Sequence, residues 1–115
     1  MRKDLLTWQW SLYPDGHRNR LNLILHILSA PFFLAGTIGL VVGAVTLNAW
    51  LGGASVVVLA LVVVVQGRGH ALEEMPSVPF LGPMDFVIRF FFEQWVTFPR
   101  YVLSGTWART LRDRR

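Results

Sequence analysis

The sequence predicts an all-α integral membrane protein: a two-helix transmembrane hairpin with amphipathic interfacial or re-entrant helices at both ends. Three observations carry that prediction. Hydrophobic residues make up 53% of the 115 positions and charged residues only 16%, where a soluble domain carries about a quarter. Two uncharged apolar runs, at residues 21–47 and 49–66, have about the length that crosses a bilayer as a helix, roughly 20 residues. Asn48, with Gly52 and Gly53 just beyond, breaks the apolar sequence between them and implies a tight, uncharged connection. The length suits one domain spanning residues 1–115. The absence of cysteine excludes disulfides and thiolate metal sites. The net charge of +4 comes from basic residues at the chain ends and beside the apolar runs. Anionic lipid headgroups would meet them there, which favours a membrane over nucleic acid as the partner.

Residues 1–13 read as an interfacial segment, because Leu5, Leu6, Trp8, Trp10 and Leu12 alternate with polar groups and tryptophan favours the headgroup level. This opening is polar and aromatic, so no signal peptide is expected. Tyr13-Pro14-Asp15-Gly16 is a turn signal, with a helix expected to start near Asp15 or His17. Transmembrane helix 1 is predicted over 21–47, with a kink or a lost backbone hydrogen bond at Pro31. Within it, Ala35, Gly39 and Gly43 form a small-residue seam for a second helix.

Transmembrane helix 2 is predicted over 49–66. A buried strand is the alternative for its valine run, but an open strand edge in lipid would leave backbone groups unpaired. Arg2, Lys3, Arg18 and Arg20 precede the hairpin and Arg68 follows it. By the positive-inside rule both outer ends face the cytoplasm, in a bacterial inner membrane or the endoplasmic reticulum. Residues 84–103 read as an aromatic interfacial or re-entrant helix over that cytoplasmic mouth, with Pro99 closing its aromatic part, Met84–Phe98. Asp85, Arg89 and Glu93 recur every four residues, which fits a solvated charged stripe. Phe90, Phe91 and Trp95 are candidates to line an acyl groove. Residues 104–115 are a basic tail, whose charge argues against a third crossing.

This topology puts His17 and His26, at the start of helix 1, and His70, past the end of helix 2, at one membrane face. They are all the histidines of the chain. Asn19, Asn22, His26 and Ser29 form one polar stripe at helical spacing, and Gln66, His70 and Glu73 or Glu74 a second. Two such stripes should face each other, because an unpaired ionisable group in hydrocarbon is costly. Neutral imidazoles with a carboxylate suit iron(II), zinc, copper or nickel. His70 and Glu74 are an i, i+4 pair and Glu73 stands at i+3, so either glutamate is a candidate fourth ligand. Asn22 is the expected support for His26. Arg20, Arg68 and Arg89 are candidates to receive a substrate carboxylate.

Tyr13, His17, Asn22, His26 and Pro31, followed by Gln66, His70 and Glu74, give Y-x3-H-x4-N-x3-H-x4-P and Q-x3-H-x3-E. This pair of motifs resembles a family of small membrane proteins, long classed as a domain of unknown function, whose characterised fungal member is an iron(II)-dependent dioxygenase of 2-hydroxy fatty acids. The resemblance covers roughly residues 13–79. It implies that His17, His26 and His70 bind iron(II). Glu74 is a further candidate ligand, and Tyr13, Asn22, Gln66 and Glu73 are candidates to support the site from outside the ligand set. It also implies fatty-acid α-oxidation, in which a 2-hydroxy fatty acid and molecular oxygen give a chain one carbon shorter and carbon dioxide. Met75-Pro76-Ser77-Val78-Pro79 departs from the family pattern of a basic residue and a Pro-Ala pair, which bears on substrate choice more than on metal binding. Two other classes fit the histidines: a b-type haem protein with two of them as axial ligands, and a non-enzymatic membrane adaptor in which they hold helices together.

Overall fold

A computed structural model describes residues 4–113, and every element in it is helical. Helix α1 spans Leu5–Gly16, α2 Arg20–Val45, α3 Ala49–His70 and α4 Pro83–Phe92. A π-helical turn, Glu93–Thr97, joins α4 to α5, Phe98–Leu103, and α6 spans Thr106–Asp113. The predicted bases Arg2, Lys3, Arg114 and Arg115 lie outside the described residues.

The first helix boundary differs from expectation. Pro14, Asp15 and Gly16 belong to the last turn of α1, so the chain breaks after them, at 17–19. Helix α2 then begins at Arg20 and not near Asp15 or His17, because Asn19 caps it. The Asn19 backbone is extended, and its side chain accepts from the Asn22 N–H at 3.1 Å, one of the donors that a helix start leaves unpaired. The helix continues through Pro31 to Val45.

Its end is a Schellman turn. The Asn48 N–H donates to Gly43 O at 2.8 Å and the Leu47 N–H to Ala44 O at 3.3 Å. The residue between these bonds and the cap is Leu47, at φ 55°, where glycine is the usual occupant. Leu47→Gly is therefore expected to raise stability by up to about 1 kcal/mol, read as a higher melting temperature in detergent. Asn48 caps α3 by accepting from the Leu51 N–H at 3.1 Å, and the two long helices run back antiparallel.

The seam between them is Gly36, Gly39 and Gly43. A Cβ at Gly43 would stand 2.7 Å from Gly52 N, one at Gly36 2.9 Å from Leu59 Cδ2, and one at Gly39 would collide with Ser55 Oγ. Ala35, expected in the seam, is exposed instead, since spacings of three and four follow a straight α-helical face more closely than repeated fours. Gly43→Val is expected to cost about 2 kcal/mol by forcing the backbones apart. Gly53→Ala, which meets nothing within 4 Å, should gain up to about 1 kcal/mol from helix propensity. Unfolding curves of the two variants would separate.

Helices α2 and α3 are each long and apolar enough to cross a membrane. The core lies at one end of the pair: Tyr13, Leu23, Ala30, Phe98 and Tyr101 are buried together where α1, α5 and α6 gather. Trp107, on α6, donates its indole N–H to Leu23 O at 3.0 Å. Much of the remaining hairpin surface is exposed and apolar, including Phe32, Ile38, Val41, Val56 and Leu61.

The segment after α3 overturns the solvated-stripe reading of Asp85, Arg89 and Glu93. Arg89 is only 9% exposed. Its guanidinium donates to Val78 O at 3.0 Å and Pro79 O at 3.2 Å, reaches Asp85 at 3.4 Å, and lies over the Phe80 ring. Pro99 does not end the helix either. It sits in the first turn of α5, immediately after the π turn in which the Phe98 N–H donates to Glu93 O. Proline lacks an N–H and crowds the carbonyl four residues back, and the wider turn takes up that misfit while rotating Glu93 and Gln94 inward.

Candidate metal centre

Four side chains from four places in the chain converge at the buried end of the hairpin. His17 lies in the break between α1 and α2, His26 one and a half turns into α2, His70 at the last residue of α3, and Glu93 at the first residue of the π turn. One ligand atom from each lies within 4.8 Å of all the others. Glu93 Oε1 stands 3.0 Å from His26 Nε2, 3.5 Å from His17 Nε2 and 3.9 Å from His70 Nε2.

The break that ends α1 also orients its histidine. The His17 ring stacks on Tyr13, centroids 3.7 Å apart and planes 9° apart. Its Nδ1 is 2.9 Å from Tyr13 O. A carbonyl can only accept, so Nδ1 carries a proton and Nε2 is the nitrogen turned to the cluster. Buried His17 Nε2 has no hydrogen-bond partner among the described residues, which is the state of a nitrogen that a cation would satisfy.

The spacings fit one ion. Imidazoles bound tetrahedrally at about 2.1 Å would hold their ring centroids about 5 Å apart and their ligand atoms about 3.4 Å apart. The centroids here are 4.8, 4.9 and 5.2 Å apart, with planes at 84–88°. Two imidazoles on opposite faces of a haem would need centroids about 6 Å apart, so no pair of these rings fits bis-histidine haem ligation. The His17, His26, His70 and Glu93 group could hold a metal ion.

Around the cluster, Tyr13 Oη donates to Glu93 Oε1 at 3.2 Å. Burial, then the Glu93 carboxylate, raises the Tyr13 phenol well above its usual pKa. Burial alone would raise the Glu93 carboxyl too, but the His17 and His26 imidazoles outweigh it and hold Glu93 well below the usual carboxylate range. The centre thus sets a neutral phenol against an ionised carboxylate.

The sequence-predicted residues divide. His17, His26 and His70 are brought together with Tyr13 beside them. Glu74 is not: α3 stops at His70, and three-residue turns, Leu72 N–H to Gly69 O and Glu73 N–H to His70 O, both 3.1 Å, destroy the helical register on which an i, i+4 pair depends. Glu74 is exposed on an outer polar cavity of about 460 Å³ with Arg18, Arg20 and Glu73. The Glu73 carboxylate turns back onto the start of α2, accepting from the Arg18 N–H at 2.8 Å, the Asn19 N–H at 2.9 Å and Asn22 Nδ2 at 2.7 Å.

Asn22 therefore supports Glu73, and no hydrogen bond joins it to His26, whose Nδ1 is buried without a partner among the described residues. Gln66 meets Ser29 at 3.0 Å and forms a reciprocal amide pair with Gln94, at 3.0 and 2.6 Å. The two polar stripes thus face each other along their length: Asn22 meets Glu73, His26 lies beside His70, and Ser29 meets Gln66. Arg20 and Arg68 are exposed, and the donors of Arg89 are occupied as described above.

Sequence reasoning missed Glu93 as a candidate ligand and Gln94 as a buried partner. Their available signal was the polar pair Glu-Gln inside FFFEQWV, an odd place for a solvated face.

A mostly apolar cavity of about 400 Å³ opens beside the centre. His70, Glu93 and Tyr13 line it, with Phe80, Phe86 and Phe90, while His17 and His26 are buried behind, 4% and 0% exposed. Phe90 lines the cavity as expected. Phe91 is exposed and Trp95 turns away to donate to Thr37 Oγ1 at 3.1 Å.

The chain matches no protein-family model, no curated protein and no solved structure. Its class rests on its own fold and site: an all-helical protein with two helices long and apolar enough to span a membrane and a three-histidine, one-glutamate group suited to a metal ion.

Proposed function

We propose that this chain is a membrane-embedded non-haem iron(II) dioxygenase of 2-hydroxy fatty acids. In this reading α2 and α3 cross the membrane as a hairpin, with the uncharged Asn48 turn on one side. The metal centre lies at the cytoplasmic side with Arg18, Arg20 and Arg68, and α1 and the segment at 83–103 cover it at the interface. The observation that carries the proposal is the convergence of three Nε2 atoms and Glu93 Oε1 beside an apolar cavity.

The reaction balances without an added reductant. A 2-hydroxy acid and one dioxygen give the acid one carbon shorter, carbon dioxide and water; the bond between the carboxyl carbon and C2 breaks, and the substrate supplies all four electrons. When bound, iron(II) supplies the redox chemistry and coordination positions for an oxygen-donor substrate. The protein's own part is to present the ligands. Tyr13 O fixes the His17 tautomer, Glu93 supplies the anion, and the Tyr13 hydroxyl holds a proton on Glu93 Oε1 at the cavity wall. The aromatic lining limits water at the cavity.

Purified protein supplied with iron(II), oxygen and 2-hydroxypalmitate is expected to yield the one-carbon-shorter acid by mass spectrometry, with stoichiometric metal. Absence of both product and bound transition metal would refute the proposal. A second reading, the non-enzymatic adaptor, draws on the hydrogen bonds that Glu93 Oε1 already receives from Tyr13 and His26. It predicts that His26→Ala lowers stability and leaves metal content unchanged.

A further inference from the structure

The cavity beside the metal centre has three walls, and each leads to a group of the centre. On α3, Val63 and Gly67 precede His70; on α4, Phe86 and Phe90 precede Glu93; on α1, Trp8 and Leu12 precede Tyr13. Spacings of three or four residues keep the α3 and α4 sets each on one helix face, as they do the Trp8 and Leu12 pair, which lies beside Tyr13. The α3 wall, from His70 back to Val63, extends about 10 Å towards the middle of the apolar helix. The polar end of the cavity is thus the ligand end, and the apolar walls run away from it.

Gly67 is the exception among these wall residues. It has no side chain, and a Cβ built there would meet nothing within 4 Å. The neighbouring glycine Gly69 differs: its Cβ would collide with Asn22 Oδ1, so close packing explains that glycine and not Gly67. No turn explains Gly67 either, since it lies within α3. Arg89 also lines the cavity, but Asp85 and two carbonyls occupy its guanidinium, and Asp15, also in the lining, would repel an anionic head.

The geometry points to Gly67 as a specificity-determining residue: a single free acyl chain lies in this cavity, its oxygen-bearing head at His70 and Glu93 and its tail passing over Gly67 towards Val63. This rests on the proposed function for the nature of the head, but the tail site stands on the cavity alone. The volume of about 400 Å³ falls within the range of small-molecule sites, and its mostly apolar lining suits a chain of methylenes. A side chain at Gly67 would obstruct the chain one turn from His70, and its Cβ would meet no other atom within 4 Å.

The test is photo-crosslinking of the full-length protein in phospholipid nanodiscs, with a palmitate analogue bearing a mid-chain diazirine and adducts mapped by mass spectrometry. Adducts are expected on Phe86, Phe90 and Trp8, and excess unlabelled palmitate should abolish them. Gly67→Phe should lower their yield at least about 10-fold at unchanged metal content, Gly67→Ala less, and Gly53→Phe, in open space elsewhere on α3, not at all. If Gly67→Phe does not fold, the graded comparison of Gly67→Ala with wild type decides. Adducts confined to the outer face of α2 and α3, at Ile38 or Val56, would overturn the proposal, as would equal yield in all variants. Labelling that added phospholipid suppresses as well as palmitate does would overturn the commitment to a free acid. Turnover separates the two readings: cavity adducts without product overturn the oxygenase and leave the tail site, whereas product formed equally by wild type and Gly67→Phe overturns the tail site and leaves the oxygenase. With both correct, Gly67→Phe should move turnover towards shorter 2-hydroxy acids.

Discussion

Glu93→Gln is expected to lower transition-metal affinity by about two orders of magnitude or more, measured by chelator competition, whereas Glu74→Gln should leave it unchanged. Altering a residue that merely supports a ligand costs about 10–100-fold, and Glu93 is placed to be a ligand itself. Its Oε1 stands 3.0–3.9 Å from all three Nε2 atoms, while Glu74 lies on the outer polar cavity. Glutamine keeps the size of the side chain and removes its charge, so a fall in affinity would report the anion and not a packing defect. Equal affinities for wild type and Glu93→Gln would remove Glu93 from the centre.

Glu73→Ala should act differently, through stability first. Its carboxylate accepts two backbone N–H groups and the Asn22 amide, and thereby ties the turn after α3 to the break that carries His17. Charge-assisted bonds of this kind are worth about 1.5–3 kcal/mol where buried. Glu73 is half-buried, so a net loss of about 2 kcal/mol is expected in denaturant unfolding. Metal affinity should fall only about 10-fold, because His17 loses its positioning and the centre loses no donor. Buried Asn22 would also be left without the acceptor for its amide. A fall in affinity as large as that of Glu93→Gln, at unchanged stability, would contradict this assignment and make Glu73 a ligand.

Three variants thus separate three roles that adjacent chemistry makes look alike in the sequence. In HALEE the two glutamates follow the histidine at the spacings of a helix face, and if α3 continued, Glu74 would be the natural partner of His70. The helix stops at His70 because the chain there tightens into three-residue turns, and nothing in the spacing announces that stop. The same blindness affected the far segment. Asp85, Arg89 and Glu93 are spaced as a solvated stripe would be, yet Arg89 and Glu93 face inward, one bound by carbonyls and the other by imidazoles.

By itself the sequence determined that the chain is helical, that two helices have the length and apolar character to cross a membrane, and that its three histidines fall at the ends of those helices. These are consequences of composition, hydropathy runs and local spacing, each read within about twenty residues. Only the tertiary structure decided the fourth member of the centre, the role of Glu73, and the cavity that reaches His70. Glu93 is 67 residues from His26, and its direction depends on the π turn before Pro99 and on packing against α1 and α2. Such a contact leaves no period in the sequence, because the free energy that orients it comes from burial against segments far away along the chain.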